Sequence, residues 1–327
     1  MSDVMSGIWA LPVQQALFRR HSRLAWLATT LLATAVLVPL FAVPAGAQQD
    51  AFQAKLDAAA SALDRYPRFR GLTPEHRELI AEFMAGNTLF IALHELSHAV
   101  TAQMQLPALD RKEDAADAFA VVELAKLAPA LSDHVLEQAA KGWFVSDQRA
   151  QDNGNTVAYF DDHGIDRERA ERIACLMVGA GGGKFQRLAA ETKLPQERRD
   201  GCAAEYEAAA KTWDDALKPR LRSPDQPKTK IDVVYGPADA KSKVEPIAQA
   251  FRSMGLLEAV AAQLSDTYVW PAPFTIEMES CGYPSAQWLP RVHKLGICYE
   301  LAADFGEFYR TYGDRPSRSA APKPRTR

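Results

Sequence analysis

The sequence carries no excess of basic residues. Its 327 residues include 38 Lys and Arg against 41 Asp and Glu, which gives a formal net charge of −3 at pH 7. Proteins that bind nucleic acid usually present a strongly basic surface, so the composition argues against a nucleic-acid partner. The chain also lacks any C-x-x-C pair. A thiol redox motif and a four-cysteine zinc site are therefore not indicated.

One long apolar run lies near the N-terminus, and we find no second run of that kind downstream. Three arginines precede this run, residues 24–43, and the small residues Ala45-Gly46-Ala47 follow it. The order is typical of a secretory signal peptide, so we expect residues 1–47 to be removed by cleavage after Ala47. An uncleaved membrane anchor over residues 24–43 is the alternative, because about 20 apolar residues can just span a bilayer. Cleavage would leave no stable membrane span and predicts a secreted or periplasmic protein.

The sequence has only four cysteines, and export would place them in an oxidising compartment. All of them follow the expected cleavage site: Cys175, Cys202, Cys281 and Cys298. An even number of cysteines in an oxidising compartment favours structural disulfides. Three pairings are possible, and the lower cost of closing short loops favours Cys175–Cys202 and Cys281–Cys298.

Helical spacing of apolar residues dominates the mature chain. Thr73-Pro74-Glu75 is a typical helix start, with an N-cap hydroxyl, a proline at the first helical position and an early acid. The pattern predicts a helix that pauses at Gly86-Asn87 and resumes from Thr88 to Met104. A further helix is expected to begin near Asp110.

Strands are few in comparison. Short segments rich in apolar residues predict them at residues 231–235, 274–278 and 295–298. The sequence therefore predicts a mainly α-helical α+β fold with a small sheet over residues 48–314. Residues 315–327 are basic and rich in proline, and we expect them to form a disordered tail.

One segment carries recognisable chemistry, the H-E-x-x-H sequence from His94 to His98. Residues four apart lie on one face of a helix, so both imidazoles can reach a single metal ion. Zn²⁺ is the ion that such a pair of histidines favours. Glu95 lies between them, beside the remaining metal position, where its carboxylate can take a proton from a bound water.

A catalytic zinc ion needs a third protein ligand. Fifteen residues after His98, the carboxylates Glu113 and Asp117 share one face of the next predicted helix. Glu113 is our predicted ligand, and Asp117 is then expected to hold a ligand histidine by its other ring nitrogen. Asp117 or Asp110 as the third ligand remains the alternative.

These segments together resemble an uncharacterised bacterial family that is described as metallopeptidases on the basis of its motif. The resemblance covers most of residues 75–305, and it rests on the following segments: His94 to Ala99, Leu106-Pro107, Glu113 to Ala120, Asp162-His163-Gly164, Arg169, Trp213 and the regions of the four cysteines. One departure is Ser285-Ala286-Gln287-Trp288, where an Asn-Ala-aromatic sequence is expected.

The string from Glu113 to Ala120 is also similar to the third-ligand helix of the broader glutamate-zincin peptidases. That resemblance implies a zincin-like metallopeptidase core. It also implies Glu113 as the ligand and Asp117 as the residue that supports a ligand histidine.

His163 is the other histidine in a suggestive setting. It either stabilises the oxyanion of a tetrahedral intermediate or caps the helix that is predicted to begin near Asp166. Tyr299 is a further candidate electrophile. Glu300 is either a carboxylate of the site or an acid at a helix N-terminus.

The sequence as a whole predicts an exported zinc metallopeptidase that acts on a peptide or protein substrate. A metal hydrolase acting on another amide or an ester is one alternative. A zinc-stabilised, catalytically silent binding protein of the cell envelope is another. The sequence indicates neither the substrate specificity nor the oligomeric state.

Overall fold

The fold was derived from a computed structural model. It describes residues 45–106, 112–127, 131, 133–152, 167–241 and 243–313. The tail at residues 315–327, His163 and Asp110 lie outside the described residues, and so does all but the end of the expected signal peptide. Ala47, the residue expected to precede the cleavage point, falls in the first turn of helix α1.

Ten α-helices and four β-strands are found in the described parts of the chain. The helices are α1 (Ala45–Leu63), α2 (Pro74–Gln103), α3 (Lys112–Leu127), α4 (Asp133–Asp152), α5 (Arg167–Ala180), α6 (Gln186–Glu191), α7 (Gln196–Leu217), α8 (Glu245–Met254), α9 (Leu256–Thr267) and α10 (Tyr299–Tyr312). The strands are β1 (Ile231–Tyr235), β2 (Phe274–Glu279), β3 (Ala286–Leu289) and β4 (Lys294–Cys298). The mainly helical α+β prediction is confirmed.

Helix α2 is the centre of the fold. It begins where the sequence predicts, since the Thr73 hydroxyl accepts a hydrogen bond from the main-chain N–H of His76 at 3.2 Å. The helix contacts α1, α3, α4, α10 and the strands β3 and β4. Among the described residues it is also the one helix long and apolar enough to cross a membrane, but 89% of that apolar window is buried inside the protein. Burial by neighbouring helices accounts for its apolar character.

The predicted pause at Gly86-Asn87 is wrong, because α2 continues through both residues. Gly86 lies against α4, where an added Cβ would stand 2.3 Å from the carbonyl oxygen of Val135. The buried side-chain amide of Asn87 donates to the carbonyl oxygens of Phe83 and Gln138, at 2.8 and 3.0 Å. The pair therefore allows two helices to pack closely and does not break one.

The small sheet has the strand order β1-β2-β4-β3. Strands β1, β2 and β4 are parallel, and helices α8 and α9 make the connection from β1 to β2. Strand β3 is antiparallel to β4 and forms an edge of the sheet. The three parallel strands match the sequence prediction closely, whereas β3 was not predicted.

Two disulfides join elements that are separated in the chain. Cys175 of α5 is bonded to Cys202 of α7, and Cys281 is bonded to Cys298 at the end of β4. Both pairings are those that the short-loop argument predicts. The first joins two neighbouring helices, and the second joins the loop before β3 to the end of β4, so β3 lies between its two cysteines.

Candidate metal centre

The H-E-x-x-H segment lies in the buried second half of α2. His94 and His98 lie one helical turn apart, and their ring centroids are 5.2 Å apart. His94 is only 4% exposed. A buried imidazole needs hydrogen-bond partners or a metal ion, because an unpaired buried polar group costs free energy.

Helix α3 brings a carboxylate to the two rings. Glu113 Oε2 lies 3.1 Å from His94 Nε2 and 3.8 Å from His98 Nε2. A tetrahedral zinc ion with bonds of about 2.0–2.1 Å holds its ligand atoms about 3.3–3.4 Å apart. The observed separations lie on either side of that value, so the donor set and its spacing fit a zinc ion.

Two of the three donor side chains are partly exposed to solvent. The side chains of His98 and Glu113 remain 22% and 21% exposed, so a ligand could approach from their side. A second close group, Cys281, Cys298 and Glu300, is found in the described part of the chain. Its two cysteines are joined in a disulfide, whereas a cysteine binds a metal ion only as a free thiolate. That group therefore does not fit a metal ion.

Asp117 lies on the opposite side of the His94 ring from Glu113. Its Oδ1 is 2.8 Å from His94 Nδ1, and Arg169 of α5 donates to both carboxylate oxygens, at 2.7 and 2.9 Å. Burial raises the pKa of Asp117, but the hydrogen bonds from Arg169 and His94 outweigh it and hold that pKa below its ordinary value. Asp117 is thus an ionised partner for Nδ1 of His94, the ring nitrogen that faces away from Glu113.

The two histidines differ electrostatically. Burial on its own lowers the pKa of His94, yet the hydrogen bonds to Asp117 and Glu113 raise it to about 9. The pKa of His98 is lowered, first by burial and then by the nearby charge of His94. In the metal-free protein at neutral pH, His94 therefore holds an additional proton and His98 does not.

Glu95 points toward the sheet. Its Oε2 accepts a hydrogen bond of 3.1 Å from the main-chain N–H of Trp288 in β3. The sequence does not predict this contact between Glu95 and Trp288. The family resemblance alone draws attention to the segment, because Ser285-Ala286-Gln287-Trp288 departs from the pattern expected there. The segment nevertheless forms an edge strand next to Glu95.

Tyr299 and Glu300 have structural contacts. The buried hydroxyl of Tyr299 donates to the carbonyl oxygen of Gly236 at 2.9 Å, and burial is the main cause that raises the pKa of Tyr299 to about 12. Glu300 accepts hydrogen bonds from the main-chain N–H groups of Cys281 and Gly282, at 3.0 and 3.1 Å. These contacts account for both residues without a role in a reaction.

Comparison with known proteins gives one match. A family model described as "Putative metallopeptidase" matches residues 63–217 and 235–324. The matched segments contain the two histidines, Glu95, Glu113, Asp117, Arg169 and Trp288. No curated protein and no solved structure matches the chain.

Proposed function

The chain belongs to a family described as putative metallopeptidases, and from that premise we propose that it is an exported zinc-dependent metallopeptidase. The observation that carries the proposal is the convergence of His94, His98 and Glu113, whose donor atoms lie within 4.8 Å of one another. Two imidazoles and one carboxylate are a common ligand set of catalytic zinc, which keeps its fourth position for water or substrate.

Zinc, when bound, supplies Lewis acidity, which lowers the pKa of a coordinated water to about 7 and polarises a carbonyl group. Glu95 then acts as the general base. It is not one of the three donors, but it follows His94 directly on the same helix. Its carboxylate takes a proton from the attacking water and passes it to the leaving amine.

A peptide substrate is supported by the outer edge of β3, which is an edge strand of the sheet in the described part of the chain. The main-chain N–H of Cys298 donates to the carbonyl oxygen of Ser285 at 2.9 Å. Hydrogen-bonded pairs alternate along antiparallel strands, so Ala286 and Trp288 direct their main-chain groups away from β4. The N–H of Trp288 points to Glu95. An extended peptide that pairs with this edge would therefore pass directly in front of the proposed general base.

Action outside the cytoplasm is supported by the two disulfides, since such bonds persist in oxidising compartments. The expected signal peptide at residues 1–47 agrees with that location.

The test compares Glu95→Gln with the wild-type protein, using peptide-library hydrolysis and zinc content measured on the same preparations. The amide is nearly isosteric but cannot accept the proton. Zinc content should therefore stay near wild type while turnover falls about 10²–10⁴-fold. Glu207→Gln, an exposed change on α7, is the matched control and should leave both unchanged.

His98→Ala is the contrasting variant, because two remaining ligands hold zinc poorly. It should lose metal and activity together. Full hydrolysis by Glu95→Gln would rule out the proposed base. A wild-type protein that binds zinc yet cleaves no peptide would favour a silent binding protein or a hydrolase of non-peptide bonds.

A further inference from the structure

Arg169 is a buried cation behind the candidate metal centre. It lies on α5 and is only 6% exposed. Its guanidinium group contacts both oxygens of Asp117, and its Cζ lies 4.2 Å from the ring centroid of Trp143 on α4. A charge this deeply buried needs an ionic partner, which Asp117 provides.

One oxygen of Asp117 serves two donors. Oδ1 lies 2.9 Å from the Nη2 of Arg169 and 2.8 Å from the Nδ1 of His94. The planar guanidinium fork fixes the plane of the carboxylate, because it bonds to both oxygens at once. The direction of Oδ1 in turn fixes the His94 ring, whose other nitrogen faces Glu113.

We propose that Arg169 is a positioning residue of the metal centre, which acts through Asp117 to hold His94 Nε2 in the orientation that binds the ion. This role rests on the proposed zinc site and extends it by one residue. Partners that orient a ligand histidine typically contribute about 10–100-fold to metal affinity.

A neighbouring ion pair provides a matched comparison. Arg172 lies one turn further along α5 and pairs with Asp114 of α3, so it joins the same two helices. His94 makes its hydrogen bonds to Asp117 and Glu113 instead. Loss of the Arg172 pair should therefore affect the packing of α5 on α3 without turning the His94 ring.

The experiment measures zinc affinity of the folded protein by competition with a chelator. Arg169→Lys keeps the charge but loses the fork, so affinity should fall by about tenfold. Asp117→Asn should lower affinity by about 10–100-fold. Arg172→Lys, the control, should stay within about twofold of wild type. Thermal unfolding of each metal-free variant is recorded in parallel.

A double variant tests the route of the effect. If Arg169 acts through Asp117, adding Arg169→Lys to Asp117→Asn should cause little further loss of affinity, because contacting residues are not additive. Two losses that simply multiply would overturn the proposal. So would an Arg169→Lys protein that unfolds at lower temperature yet binds zinc as wild type does, since that result describes a purely structural residue.

Two further outcomes are distinguishable. If Arg169→Lys does not fold, Arg169→Gln replaces it, with the same expected loss and the same contradicting result. A wild-type protein that fails to retain zinc would overturn the metal site itself and this role with it. Normal zinc binding by the wild type and by every Arg169 variant would overturn only the role of Arg169.

Discussion

At the proposed metal centre, His94 should couple metal binding to proton release. Its pKa in the metal-free protein is raised to about 9, above the ordinary histidine value of about 6.5. Zinc can bind only the deprotonated Nε2, so binding at pH 7 must release one proton. Protonated His94 also stabilises the folded, metal-free protein. This stabilisation is fully present below about pH 6.5 and is lost as the pH rises through about 9.

Zinc affinity should therefore increase by about tenfold per pH unit between about pH 7 and 9, and then level off. Chelator competition at a series of pH values measures this directly. His98 contributes little in that range because its pKa is lowered. In Asp117→Asn the rise should move to lower pH, since the carboxylate that favours the proton is gone. A flat affinity across this range would contradict the assignment of His94 as a ligand.

At the scale of elements, the close packing of α2 on α4 depends on Gly86. A Cβ at this position would stand 2.3 Å from one α4 main-chain atom and 2.9 Å from another, those of Val135 and Ala139. Backbone atoms cannot rotate away as a side chain can, so the helices must separate. Gly86→Ala should lower the free energy of unfolding by about 1–3 kcal/mol.

Gly201 of α7 is the matched control, because a Cβ there would meet nothing within 4 Å. Gly201→Ala should raise the free energy of unfolding by about 0.5–1 kcal/mol, as alanine favours the helical backbone. Denaturant unfolding of the metal-free proteins checks both changes. Equal stabilisation by both variants would show that α2 and α4 are not in close contact at Gly86.

The sequence predicts those elements whose own pattern is strong. Strands β1 and β4 are mostly apolar, β2 alternates apolar and polar residues, and the start of α2 carries its own capping residues. The edge strand β3 has only four residues, and Gln287 interrupts its apolar residues, so nothing local distinguishes it from a loop. Gly86-Asn87 wrongly predicts a break in α2, because these residues make contacts to α4 that a local sequence pattern does not reveal.

The same limit applies to the candidate site. His94, Glu95 and His98 are readable because one helix carries them at a fixed spacing. Glu113 follows from the need for a third ligand and from the family resemblance. The contact between Arg169 and Asp117 spans 52 residues of chain and involves two helices. Only the packing of α5 against α3 reveals it.

At the scale of the whole molecule, the two disulfides fasten different elements that contact the candidate site. Cys175–Cys202 joins α5, which carries Arg169, to α7. Cys281–Cys298 closes a loop that contains β3, whose Trp288 contacts Glu95. The separations along the chain are 27 and 17 residues. Loops of these lengths correspond to about 3–4 kcal/mol of stabilisation for each bond, through the lost freedom of the unfolded chain.

Replacing each cysteine pair by alanines should therefore lower the unfolding temperature by roughly 6–14 °C, measured by thermal unfolding without reductant. The functional effects should differ between the pairs. Loss of Cys175–Cys202 loosens α5 and should weaken zinc affinity, because Arg169 holds Asp117 from that helix. Loss of Cys281–Cys298 loosens the approach to β3 and should raise KM for peptides while zinc affinity stays near wild type. The same change in zinc affinity for both variants would show that the disulfides stabilise the fold as a whole and do not support different elements of the site.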